Sequence, residues 1–167
     1  EELSLDEHLT LSEGTTVQFQ NDIVDHNLNN LTWWTQKHNN YAIREVIDLL
    51  DIKYNFTEAN RVIPKLLGTQ DQRKRFLKLK YASLPLFTRP FAYFLYRYFV
   101  KLGFLDGKKG LIWHFLQGLW YRFLVDAKIY EVYHRVGKDK QDIIEFFRNE
   151  YGKDLSAVQN RPVEIRQ

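Results

Sequence analysis

QRKRFLKLKYASLPLFTRPFAYFLYRYFVKLGFL, residues 72–105, fills the interval between Asp71 and Asp106 with 34 positions and no acidic side chain. It holds eight cations, Arg73, Lys74, Arg75, Lys78, Lys80, Arg89, Arg97 and Lys101, and ten aromatic rings. The rings recur with Leu84, Leu86, Leu95 and Leu102 at helical spacing, so the stretch reads as helix rather than as strands. Pro85 and Pro90 bracket a break, after which Thr88 is placed to cap a new helix that Gly103 ends.

Outward from this stretch the pattern stays helical. Thr69 precedes a helix over roughly 70–82. Asp106-Gly107-Lys108-Lys109-Gly110 reads as a turn. A long helix is expected over about 110–136, stopped by Gly137, and another from Asp139 to Gly152. Residues 111–124 are apolar nearly all round, as in a helix that is buried or lies in lipid. Upstream, residues 28–68 read as connecting helices, with Asn29 or Asn30 as the first cap and a short second helix from Thr57 to near Gly68. Residues 1–27 are polar, with alternating pieces such as Thr15-Thr16-Val17-Gln18-Phe19. They suggest a small β element at the edge of something larger, since isolated strand pieces do not make a stable sheet. Residues 153–167 read as a tail. The fold class expected is therefore mainly α, in zones 1–27, 28–68, 69–152 and 153–167.

Composition excludes some chemistry. With no Cys there are no disulfides, thiolate metal sites or Cys nucleophiles. His-Glu-x-x-His, phosphate-binding Gly-rich and Gly-x-Ser-x-Gly motifs are absent. The net charge of +3 is small, and the acid-free stretch holds more positive charge than the whole chain nets. Four Trp, ten Tyr and twelve Phe favour a surface where a ring is half wet. A transmembrane span needs about 20 consecutive apolar residues, and Arg89, Arg97 and Arg122 interrupt every candidate run. The remaining readings are an interfacial segment, with rings in the headgroup layer and cations on anionic lipid, a plain helical core, and a single-strand nucleic-acid surface. The interfacial reading accounts best for eight cations without an acid. Nucleic acid is the least favoured, because stacking platforms are usually sheets.

Arg89-Pro90-Phe91-Ala92-Tyr93-Phe94-Leu95-Tyr96-Arg97-Tyr98, then Leu102-Gly103-Phe104-Leu105-Asp106-Gly107-Lys108-Lys109-Gly110, then Tyr121-Arg122-Phe123-Leu124-Val125-Asp126-Ala127-Lys128, resemble the end of family 2 glycosyltransferases of bacterial exopolysaccharide and lipopolysaccharide synthesis. Asp6-Glu7-His8, Asn21-Asp22-Ile23-Val24-Asp25-His26 and Trp34-Thr35-Gln36-Lys37-His38-Asn39-Asn40-Tyr41-Ala42 resemble the same enzymes just after their nucleotide-sugar domain. The resemblance covers about residues 5–133. It implies an inverting enzyme with a GT-A α/β domain that takes a nucleotide sugar and a divalent metal (Mg or Mn) and acts on a lipid-linked or saccharide acceptor. Glu7 would be the catalytic general base, and His26 a metal or diphosphate ligand with His8 the weaker candidate. Lys37, His38 and Tyr41 would lie at the junction with the membrane helices, or on a solvated helical face. Arg89, Arg97 and Arg122 would meet lipid phosphates, or pair with Asp106 or Asp126.

The chain departs from that pattern in having no Asp-x-Asp and no parallel βαβ region. With no Met even at its start, it reads as the carboxy-terminal portion of such an enzyme, inactive alone and peripheral on the cytoplasmic face of the bacterial inner membrane. A non-enzymatic membrane scaffold is the alternative.

Overall fold

A computed structural model of the chain describes residues 15, 17, 20, 21, 28–56 and 63–155. Among them the protein is mainly helical and contains no strand. The β element expected within residues 1–27 lies almost wholly outside the described residues.

Helix α1 spans Leu31–Tyr54, and Asn30 caps it by accepting the Trp33 N–H at 2.9 Å. Asn55 ends it in the left-handed region. Residues 63–69, containing Pro64, form a turn rather than the end of a helix. Helix α2, Gln70–Ser83, starts with a capping box in which Thr69 and Gln72 each satisfy the other's backbone N–H.

Helix α3, Thr88–Leu95, runs on into a π-helical stretch, Tyr96–Val100. Thr88 does not cap it: its hydroxyl donates to the Pro85 carbonyl at 2.8 Å, and Phe87 takes the cap position at φ +68°. A short 3-10 turn, Gly103–Asp106, leads into α4, Gly107–Trp113. The expected turn at 106–110 is therefore mostly helix. A second π stretch, His114–Trp120, joins α4 to α5, Tyr121–Val136, in one continuous rod. Asp139 caps α6, Lys140–Tyr151, by accepting from Gln141 and Asp142.

The rod from Gly107 to Val136 is the spine. At its carboxy-terminal half, Val125, Ile129 and Val132 stack at helical intervals on Ala42, Val46, Leu49 and Leu50 of α1 and on Ile143, Ile144 and Phe147 of α6. Contacts between Trp34 and Trp120, Glu45 and Arg122, and Lys53 and Tyr133 keep the same order along both elements, so α1 and the rod run parallel. Helix α6 packs across the end of α5, where Arg135 pairs with Glu150 at 3.3 Å. Phe56 and Leu155 close the ends of this core, so the segment expected as a tail is packed in at Leu155.

The amino-terminal half of the rod pairs antiparallel with α3: Phe91 meets Phe123, Gly118 faces Phe94, and Tyr98 meets His114. This hairpin is built the other way round from the core. Between Thr88 and Trp120 the buried positions are Arg89, Pro90, Gly103, Gly110, His114 and Gly118. Most of its large apolar side chains are on the outside.

Candidate functional site

Small residues let the two arms of the hairpin touch. A Cβ on Gly110 would lie 2.5 Å from the Gly103 carbonyl oxygen, and one on Gly103 would lie 2.2 Å from His114 Nε2. With glycine and one imidazole at the closest approach of the arms, room inside is left only for Tyr93, Phe94, Tyr98, Leu116 and Leu119, which are half-buried, and the other rings and aliphatic chains have none. They turn outward: Phe91, Leu95, Tyr96, Phe99 and Val100 on the first arm, Leu102, Phe104 and Leu105 at the tip, Leu111, Ile112, Trp113 and Phe115 on the second. Val100 and Leu105 are each 69% exposed. Scattered exposed leucines are ordinary, but this many large apolar side chains exposed on one hairpin point to an interaction site. No described helix is long and apolar enough to cross a membrane.

On α2 and on the hairpin itself, exposed cations accompany these apolar side chains. Arg73, Lys74 and Lys80 on α2 and Lys101 at the tip are exposed, and so are Lys108 and Lys109, which sequence reading placed in a turn and passed over. Arg75 is half-buried. Lys78 leans inward and pairs with Asp48 at 3.3 Å.

Arg89 corrects the sequence reading. It is 2% exposed, and its Nε donates to Asp126 Oδ1 at 2.7 Å while a second guanidinium nitrogen binds the same oxygen. Asp126 also accepts the Phe87 N–H at 2.8 Å. Arg89 is thus an internal tie between α3 and α5, with no access to lipid. Arg122 is half-buried and already engaged: it pairs with Glu45 at 3.3 Å, and its guanidinium lies 5.3–5.8 Å from the rings of Tyr81, Tyr93 and Tyr121. Burial pushes the Tyr81 phenol up to about 12 and raises that of Tyr121 as well, so both stay neutral at physiological pH.

Arg97 stays half-buried, its guanidinium 5.7 Å from the Tyr93 ring and one nitrogen donating to the Tyr93 hydroxyl at 3.4 Å. It lines a cleft of about 620 Å³ at the hairpin tip, with Tyr93, Tyr96, Lys101, Asp106 and His114.

At the start of α1 an aromatic group forms beside the hairpin. Trp34 stacks on His38 at 3.6 Å and reaches Trp113 and Trp120, and His38 meets Tyr121 edge-on at 5.3 Å. His38 donates from Nδ1 to the Trp34 carbonyl at 2.9 Å. Lys37 sits over the rings of Trp33 and Tyr41. These residues form neither a fully solvated face nor a metal site.

Glu7 and His26, with His8, lie outside the described residues. Among the described residues no three His, Asp or Glu converge. No family model matches this sequence, and no curated protein or solved structure matches it.

Proposed function

We propose that this chain is the membrane-docking, acceptor-side part of a nucleotide-sugar-dependent inverting glycosyltransferase, held peripherally on anionic membrane by the α3–α4 hairpin. The observation that carries the docking reading is the inside-out hairpin, with glycine and polar groups inside and rings and aliphatic chains outside. Burying half of a large apolar side chain contributes about 1–2 kcal/mol, so even a few of these residues in the headgroup layer favour the bound state. Each exposed cation near anionic lipid adds about 1 kcal/mol. Arg73, Lys74, Lys80, Lys101, Lys108 and Lys109 fit that role. Hairpin arms of this length suit interfacial seating rather than a span.

The enzymatic part of the proposal rests on the resemblance alone. In it Glu7 takes the proton of the acceptor hydroxyl, His26 assists the metal or diphosphate, and an α/β domain supplies the donor site. A lipid-linked acceptor stays in the membrane, so an enzyme seated on the cytoplasmic face meets it in place. Flotation with vesicles of phosphatidylcholine and phosphatidylglycerol tests the docking. The chain is expected to float, and the Phe99→Ser/Ile112→Ser/Trp113→Ser variant to stay behind with its helical circular dichroism intact. Binding to oligonucleotides but not to vesicles would overturn it. In membranes containing the intact enzyme, with its α/β donor domain, and supplied with labelled nucleotide sugar, Glu7→Gln should abolish sugar transfer to lipid without changing flotation; unchanged transfer removes Glu7 from the chemistry.

A further inference from the structure

The cleft at the hairpin tip is a polar hole in an apolar surface. Its mouth is rimmed by Tyr96, Leu102 and Leu105, all largely exposed. Its walls carry Arg97, Lys101 and His114, with Asp106 as the one carboxylate. His114 is 8% exposed, and its Nδ1 finds no hydrogen-bond partner among the described residues. Such a group is costly to leave unsatisfied, so the ring stands in the wall of the cleft with hydrogen-bonding capacity to spare. Arg97 has no carboxylate within ion-pair distance among the described residues, and its contact with the Tyr93 hydroxyl is long. Both π-helical stretches contribute walls, Tyr96 and Arg97 from the first and His114 from the second. Single π turns of this kind recur at functional sites.

We infer that this cleft binds the terminal phosphate of a membrane lipid, with the lipid chain leaving over Tyr96, Leu102 and Leu105. The inference rests on the docking reading and deepens it, because it makes the hairpin selective for a headgroup instead of merely attracted to charge. A guanidinium fork matches two phosphate oxygens, and Lys101 supplies a second cation. Asp106 offsets one cation and leaves the cleft net positive. A volume of about 620 Å³ accommodates a phosphate together with the first atoms of what it esterifies. The lipid source follows from the mouth: a site for a soluble phosphate would gain nothing from a rim of exposed leucine and tyrosine.

The test compares partition of the full chain onto phosphatidylcholine vesicles doped with either phosphatidic acid, which ends in a phosphomonoester, or phosphatidylglycerol, the two matched in zeta potential. Partition is expected to be about tenfold stronger onto phosphatidic acid, the size of one charge-assisted bidentate contact. Arg97→Gln should erase that preference while leaving phosphatidylglycerol binding within about twofold, since Arg97 is half-buried in the cleft and not among the exposed cations that meet the lipid surface. Lys101→Gln, on an exposed residue whose loss leaves the fold intact, should reduce the preference in part. Lys74→Gln, remote from the cleft, should weaken both partitions alike. Equal partition onto the two vesicles, or a preference that survives Arg97→Gln and Lys101→Gln, overturns the site and leaves docking standing. Failure to bind either vesicle overturns docking and the site together. An Arg97-dependent rise in melting temperature with inorganic phosphate and no vesicles overturns the assignment to lipid in favour of a soluble phosphate.

Discussion

Asp126 accepts three N–H groups in a dry environment, two from Arg89 and one from the Phe87 backbone. It holds Phe87 at φ +68°, a conformation that a bulky residue adopts only under constraint, and so sets where α3 begins. Removing one partner of a buried pair strands the other charge. Asp126→Asn is therefore expected to cost about 3–5 kcal/mol in urea denaturation, whereas Arg89→Met/Asp126→Leu should recover most of that loss. If the double variant is as unstable as the single one, the tie is more than a charge pair. Sequence reading could name Asp126 only as one of several partners for three arginines. The separation of 37 positions hides the pairing, because no local rule links such distant positions. Lys78 was obscured the same way by Asp48, 30 residues upstream.

Helix ends were legible because capping is local. Asn30, Thr69 and Asp139 each bind a backbone N–H within three residues, so their role can be read from neighbours alone. The tip of the hairpin was not legible. Asp106-Gly107-Lys108-Lys109-Gly110 has the composition of a turn, yet α4 begins at Gly107 because Gly110 must pass within van der Waals contact of Gly103. A methyl group at Gly110 would strike the Gly103 backbone, which cannot swing aside. Gly110→Ala should destabilise the protein by about 1–3 kcal/mol. Gly118→Ala should be neutral or slightly stabilising, since its Cβ would sit 4.0 Å from Phe94 and Tyr93 and alanine is the better helix former. Thermal denaturation of the two variants checks the contrast, and equal effects would mean the tip is not close-packed.

At the scale of the molecule, a three-helix core made by α1, α5 and α6 carries an outward-facing hairpin on the same spine, with basic α2 beside it. If docking combines apolar seating with charge, salt should weaken it without abolishing it. Raising ionic strength from about 0.1 to about 1 M shortens the Debye length from roughly 10 to 3 Å, so vesicle partition should fall several-fold and level off above zero. Partition that vanishes in salt would reduce the hairpin face to a bystander. The acid-free stretch, its rings and its helical spacing are properties of neighbours along the chain, and they determined by themselves that this protein is helical and that charge and aromatics are concentrated between Asp71 and Asp106. Only the tertiary structure decided which way those side chains turn and which cations stay outside. The physical reason is that helical periodicity is the same whether an apolar face points in or out. Glycines from two distant segments close the interior of the hairpin, and a carboxylate on another helix claims Arg89 for the inside.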